Sequence, residues 1–384
     1  MINRRNLIRP FYARIAGRFL CGRVILLLCF LICSRAMLFA QKAEDMKFVD
    51  VDELMLIGQG FAESHVKYGR LPADMEKEFR PALRNLGTNS AGLAVRFSSN
   101  SKAIAVRWIV RGDNTMNHMA STGIKGLDLY SLDNGKWYYA GTARPAGKTS
   151  VNVVVQNMSG DMREYIAYFP LYDGVESVKI GVEQNAVIGK PVDNRLTKRQ
   201  EAKPVVFYGT SITQGGCASR PGMAYPSILG RMLNRETVNL GFSGNGKLDF
   251  SLAEAISRID AEAVVIDCLP NNTAQTVKDR AYRFITHIAK TKPTMKIFML
   301  EKPEYPFARF NLTVQQEIAE TNKEWKTLYS KLKNEGFQQL VYVEANGLIG
   351  NDGEATVDGV HFTDLGFLRY AETLFPYLKE YMVK

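Results

Sequence analysis

The sequence predicts an α/β chain whose parallel sheet is preceded by an antiparallel β-rich half, and three observations carry that expectation. Apolar runs at Val205–Tyr208, Thr237–Leu240, Ala263–Ile266, Lys296–Leu300 and Leu340–Val343 alternate with helical periodicity near 223–234, 252–259, 276–290, 314–333 and 365–381. Strand–helix alternation of this kind builds a parallel sheet covered on both faces. Upstream, short strand patterns recur from residue 93 to 182 with no helical pattern between them. The period changes across a polar stretch, Lys190 to Lys203, which reads as a linker.

Each upstream strand has its own signal. Leu93–Phe97 and Ile104–Trp108 alternate apolar and polar residues around Ser98-Ser99-Asn100-Ser101. Gly126–Tyr130 and Lys136–Tyr139 flank Asp133-Asn134-Gly135, a strong hairpin signal. Val151–Val155, Glu164–Tyr168 and Val178–Val182 continue the series, which suggests an all-β sandwich. The expected organisation is a leader over 1–40, a β-sandwich over 45–195 and a catalytic α/β domain over 200–384.

Length and charge narrow the function classes. The chain has 384 residues and a formal charge of +10. Seven of the positive charges are Arg4, Arg5, Arg9, Arg14, Arg18, Arg23 and Arg35, in a leader with no acidic residue. The remainder is nearly balanced, so the basic composition is no argument for a nucleic-acid partner. Arginines, then the apolar run Val24–Cys33, then Ser34, Ala36 and Ala40, read as a secretory signal. The run is short of the roughly 20 apolar residues of a comfortable span, so no stable membrane span is expected after cleavage. An uncleaved anchor is the rival reading. The expected destination is periplasmic or secreted.

Three of the five cysteines lie in the leader. Cys217 and Cys268 remain, too few for a disulfide scaffold or a zinc site, and the choice between a disulfide and two free thiols stays open.

Chemistry in an open parallel sheet gathers beyond the carboxyl ends of the strands. After the first strand comes Gly209-Thr210-Ser211. After the second comes Gly241-Phe242-Ser243-Gly244-Asn245-Gly246, and after the third Asp267-Cys268-Leu269-Pro270-Asn271-Asn272. After the fifth, beyond a loop, comes Asp358-Gly359-Val360-His361. Together these supply the parts of acyl transfer. Ser211 is a nucleophile that needs a base. His361 is that base, and Asp358, three residues before it, orients the imidazole. The backbone N–H groups of Ser211 and Gly244 and the Asn271 amide are the oxyanion donors. Taken alone, Ser211 would only cap a helix. His118, with its neighbour Asn117, lies on a polar loop and is a candidate substrate contact, as is Asn272. Trp108, Trp137, Tyr138 and Tyr139 read as sandwich core or as a sugar-stacking platform.

These four blocks, in this order, resemble the SGNH (GDSL-like) hydrolases, whose serine, glycine, asparagine and DxxH correspond to Ser211, Gly244, Asn271 and Asp358–His361. The upstream Gly126-Leu127-Asp128-Leu129-Tyr130 resembles the GxDLY domain that precedes such esterases. The resemblance implies a flavodoxin-like, doubly wound, five-stranded parallel sheet behind a jelly-roll-like sandwich. It implies a serine esterase acting on a short acyl ester, acetyl on a carbohydrate, with a small-molecule or oligosaccharide ester as substrate and with no metal or organic cofactor. A phospholipid or platelet-activating-factor-like acylhydrolase, and a non-catalytic carbohydrate-binding surface protein, are the alternatives. Two departures from the family pattern stand out. Thr210 replaces the aspartate of GDS, and the family's GxND block reads Leu269-Pro270-Asn271-Asn272, which keeps Asn271 but lacks the glycine and the aspartate.

Overall fold

The computed structural model describes residues 41–191 and 202–382, so the leader at 1–40 and most of the linker lie outside the described residues. Among the described residues, those from Met46 onward form one compact unit.

Antiparallel strands come first. One sheet has the order β1 (Lys47–Asp50), β9 (Val175–Val182), β4 (Ile104–Val110), β7 (Thr149–Val155). The other runs β10 (Ile188–Gly189), β3 (Ala94–Ser99), β8 (Arg163–Tyr168), β5 (Leu127–Asp133), β6 (Lys136–Ala143), with β2 (Met55–Ile57) also paired to β3. Their inner faces share one core, in which Val95 and Phe97 of β3 and Leu129 of β5 meet Val106 and Trp108 of β4 and Ile180 of β9. The Asp133–Lys136 hairpin forms as expected, with Asn134 at φ 47 and Gly135 at φ 78, the left-handed pair that a two-residue turn between twisted strands requires. Trp108 belongs to the core and donates Nε1–H to the Lys125 carbonyl at 2.9 Å. Tyr138 and Tyr139 stand half exposed on the outer strand β6.

The parallel sheet follows, in the order β12 (Thr237–Gly241), β11 (Val205–Gly209), β13 (Ala263–Asp267), β14 (Lys296–Leu300), β15 (Leu340–Val343). Every pairing is parallel. The strands β11, β12 and β13 are buried at every residue, which is why β11 and β13 read as continuous apolar runs, while β12 buries Asn239, whose side-chain amide donates to the Thr213 carbonyl and accepts from the Gly241 N–H. Helices Tyr225–Leu233 and Asp364–Met382 pack one face, and Phe250–Arg258 and Tyr282–Thr291 the other. The order 2-1-3-4-5 sets the reversal of winding at β11, so the crevice beyond its carboxyl end is where a ligand site is expected.

Candidate active site

Gly209 ends β11. A Cβ there would stand 1.9 Å from Thr213 Oγ1 and 2.5 Å from the Asp267 carbonyl oxygen, so only glycine fits. The chain then turns into the helix Ser211–Gln214, and the cap is Thr210, not Ser211. Thr210 Oγ1 accepts from the Ile212 N–H at 3.2 Å, and Thr213 Oγ1 accepts from the Thr210 N–H at 3.3 Å. This reciprocal box satisfies the first turn from the neighbouring residues and leaves the Ser211 hydroxyl out of the cap. Threonine in place of aspartate keeps the cap, since both are good N-cap residues.

The turn is tied to the sheet through Asp267 at the end of β13. Its Oδ2 accepts from Thr213 Oγ1 at 3.0 Å and Tyr225 Oη at 2.8 Å, and its Oδ1 accepts from Tyr370 Oη at 2.9 Å. Burial pushes this carboxyl up to about 6 against the lowering pull of the three hydroxyls.

Asp358 and His361 do not lie on a helical turn. They sit on a loop closed by the antiparallel bridge Thr356–Phe362, and the following helix begins only at Asp364. The spacing works because Asp358 Oδ1 accepts the N–H groups of Val360 and His361, at 3.0 and 2.8 Å, folding the chain around its own carboxylate. The other oxygen, Oδ2, lies 2.7 Å from His361 Nδ1. His361 Nε2 lies 2.9 Å from Ser211 Oγ. Residues 150 apart in sequence thus form one hydrogen-bonded chain: carboxylate, imidazole, hydroxyl. Partial burial pushes the Asp358 carboxyl up, but the bonds from the His361 ring, the His361 N–H and the Val360 N–H outweigh it and hold it down at about 2.

The two other blocks converge on the same rim. The Phe242 N–H donates to the Gly209 carbonyl at 3.1 Å. The Ser243 N–H donates to Gln214 Oε1 at 3.0 Å. The Gly246 N–H donates to Asn271 Oδ1 at 3.2 Å, which leaves the Asn271 Nδ2 donor for a ligand. Gly244 has φ 66, and a Cβ there would meet nothing within 4 Å. Glycine is needed there for the left-handed backbone rather than for room. Asn272 departs from expectation. It is 2% exposed and its Nδ2 donates to the carbonyls of Gly246 and Cys268, at 2.7 and 2.6 Å. It braces two loops from inside and has no surface for a substrate.

His118 does reach the rim. Its ring centre lies 5.6 Å from that of His361, and its Nδ1 is 2.9 Å from Asn117 Oδ1. Cys217 lies close by, at φ 72. Burial, then the Asp358 charge, push its thiol up to about 12, so it is a neutral thiol and a poor nucleophile. Cys217 and Cys268 are both free and buried.

Sequence reasoning missed what the β-rich half does here. Tyr172 Oη donates to the Ser211 carbonyl at 3.2 Å, and Gln214 Nε2 donates to the Leu171 carbonyl at 3.0 Å. Asp128, in the middle of Gly126–Tyr130, is buried and accepts from the Gly222 N–H at 2.9 Å and from Arg220 Nη1 at 2.6 Å. The motif therefore grips the segment that follows the serine helix.

Comparison with known proteins agrees with this architecture. Residues 202–379 match the GDSL-like lipase/acylhydrolase family, and residues 46–188 match the GxDLY N-terminus of SGNH-hydrolase-type esterases. No curated protein matches the sequence. A protein from Bacteroides ovatus ATCC 8483, described as a GDSL-like lipase, is similar at 34% identity and TM-score 0.82, over 88% of this chain and 98% of that one. The salicylyl-acyltransferase SsfX3 of a tetracycline biosynthetic pathway shares the fold at TM-score 0.69 and 16% identity, over 90% of this chain and 99% of that one. A family two carbohydrate esterase from Clostridium thermocellum, solved with cellohexaose, shares it at TM-score 0.54 and 14% identity, over 76% and 92%. No helix among the described residues is long and apolar enough to cross a membrane. The chain belongs to the GDSL-like lipase/acylhydrolase family and is a carboxylic ester hydrolase with a GxDLY-type N-terminal region.

Proposed function

We propose that the protein is a secreted serine esterase that removes a short acyl group, acetyl, from a carbohydrate through Ser211, His361 and Asp358. The observation that carries this reading is the unbroken chain from Asp358 Oδ2 through both nitrogens of His361 to Ser211 Oγ, at 2.7 and 2.9 Å. Nδ1–H donates to the carboxylate, so Nε2 keeps the lone pair that takes the serine proton. Ser211 Oγ attacks the ester carbonyl carbon. The negative oxygen is received by the N–H groups of Ser211 and Gly244 and by Asn271 Nδ2. His361 then protonates the leaving alcohol, and water, activated by the same ring, releases the acid from the acyl-enzyme. The carbohydrate reading draws on the signal-like leader and on the shared fold with an esterase that binds cellohexaose.

A second reading, a longer acyl or lipid ester, is favoured by the apolar rim beside the catalytic loop. Phe307 packs on Gly359 and is partly exposed, and Val357 on the same loop is exposed. One assay separates these readings and tests the nucleophile: hydrolysis of chromogenic acetyl and long-chain esters by wild type and Ser211→Ala. The expected outcome is preference for acetyl and loss of about 10⁴-fold or more in kcat for the variant. Equal rates in both proteins would remove the nucleophile assignment. Wild type should also be labelled by a fluorophosphonate, whereas a purely carbohydrate-binding protein would stay unlabelled.

A further inference from the structure

The loop that carries His118 and the turn that carries Cys217 close on His361 from two sides. One nitrogen of each imidazole and the Cys217 sulfur lie within 4.8 Å of one another. In both rings Nδ1 is already committed to an oxygen: to Asn117 Oδ1 at 2.9 Å in His118, and to Asp358 Oδ2 at 2.7 Å in His361. Metal-bound histidines typically have such an oxygen partner, which fixes the tautomer and leaves Nε2 its lone pair. The thiol itself is held at a cost. Cys217 has φ 72, a left-handed backbone that costs a residue with a Cβ about 1 kcal/mol or more and that glycine adopts freely. The adjacent Gly215 and Gly216 show that the turn already uses glycine. The backbone therefore gives no reason for a cysteine at this point, and the position of its sulfur does.

We propose that His118, Cys217 and His361 form a three-ligand site for a borderline-soft divalent cation, Zn²⁺ foremost, and that filling it switches the esterase off. Two imidazoles and a thiolate are a zinc donor set, with the fourth tetrahedral position open to water. Zinc bonds of about 2.0–2.3 Å place tetrahedral ligands roughly 3.3–3.7 Å apart, so the three atoms need to close by about 1 Å. The trio contains no oxygen donor, so Mg²⁺ and Ca²⁺ are poor occupants. On binding, the Cys217 thiol gives its proton to solvent, and His361 Nε2 gives the ion the lone pair it would have used on the Ser211 hydroxyl. The site stands on geometry, whereas its effect on hydrolysis rests on the role proposed for His361.

The test uses the purified protein stripped of metal. Co²⁺ should bind at one equivalent with a near-ultraviolet thiolate-to-cobalt charge-transfer band, and Zn²⁺ should displace it. Cys217→Ala should abolish the band, as should Cys217→Gly, which suits the left-handed backbone and guards against a folding defect. His118→Gln should weaken Co²⁺ binding at least about tenfold. In acetyl ester hydrolysis, Zn²⁺ should inhibit wild type reversibly, with activity restored by a chelator. Cys217→Ala should keep its metal-free rate and need at least about tenfold more Zn²⁺ for the same inhibition. No band in wild type, or a band or inhibition undiminished by the loss of Cys217, would overturn the proposal. If metal-free wild type fails to hydrolyse esters at all, the esterase reading fails instead, and the cobalt spectrum still decides the site.

Discussion

Asp358 does two jobs with two oxygens. Oδ1 folds the loop by accepting two backbone N–H groups, and Oδ2 holds the His361 ring. The replacement Asp358→Asn separates them. Its carbonyl oxygen can keep the loop, but its NH₂ group then faces Nδ1 and demands a lone pair there. The proton moves to Nε2, and the base can no longer accept from Ser211. We expect kcat to fall about 10³- to 10⁴-fold while the melting temperature barely moves, measured by acetyl ester kinetics and thermal unfolding. Asp358→Ala should lose both the rate and the loop. Because hydrogen bonding holds this carboxyl at about 2, it remains a carboxylate throughout the neutral and mildly acidic range. Any acid limb of the rate profile above pH 4 then belongs to another group.

At the scale of elements, the junction of β11, β13 and the serine helix is fastened by a single carboxyl, Asp267, that burial pushes up to about 6. Its ordinary value is near 4, so the folded chain holds this proton more tightly than the unfolded chain does. The sign follows: the group's contribution is most favourable below about pH 4, declines as pH rises toward 6, and is constant above. Two units correspond to about 3 kcal/mol. Asp267→Asn lacks this titration, so its stability relative to wild type should improve by a few kcal/mol from pH 4 to pH 7. Denaturant unfolding at both pH values checks this, and an unchanged difference would refute it. The strands around this junction were legible because full burial on both faces makes them uninterrupted apolar runs. The helix expected over 276–290 was legible only as a period. The five-residue π turn at Val277–Ala281 leaves no mark on the apolar spacing. β2 and β10, of three and two residues, pair at the side of β3 and are half-buried, so neither composition nor alternation announces them. Thr210 illustrates the same limit: a hydroxyl beside a serine is visible in sequence, but which of the two caps the helix depends on the φ and ψ of the turn.

Across the whole molecule, the β-rich half is structurally part of the candidate site. The motif Gly126–Tyr130 stood out in the sequence, but its partner did not, because Asp128 and Arg220 are 92 positions apart and meet only when both sheets are in place. The Asp128 side chain is fully buried and Arg220 largely so, with the Arg220 guanidinium also reaching Tyr130 Oη at 2.5 Å and lying over the Tyr139 ring. Nearby, Thr122 Oγ1 donates to the Ser219 carbonyl at 2.6 Å, and Arg70 spends its Nη1 on the carbonyls of Asn239 and Gly241 on β12. These contacts are polar, and the buried groups among them, Asp128 and Arg70, take partners from the other half. Unfolding of either half therefore breaks these bonds and uncovers the other half's seam, and the two should melt together in a single transition. Asp128→Ala removes the carboxylate and leaves the Arg220 guanidinium and the Gly222 N–H without their acceptor, for a cost of about 3–5 kcal/mol. Adding Arg220→Met removes the stranded charge and supplies apolar volume. The double variant should then be less destabilised than the sum of the two singles, because a buried pair costs most when only one partner is missing. Equilibrium unfolding of the four proteins gives the coupling directly. Additive singles would mean that the pair is solvated and that the two halves are held together by something else.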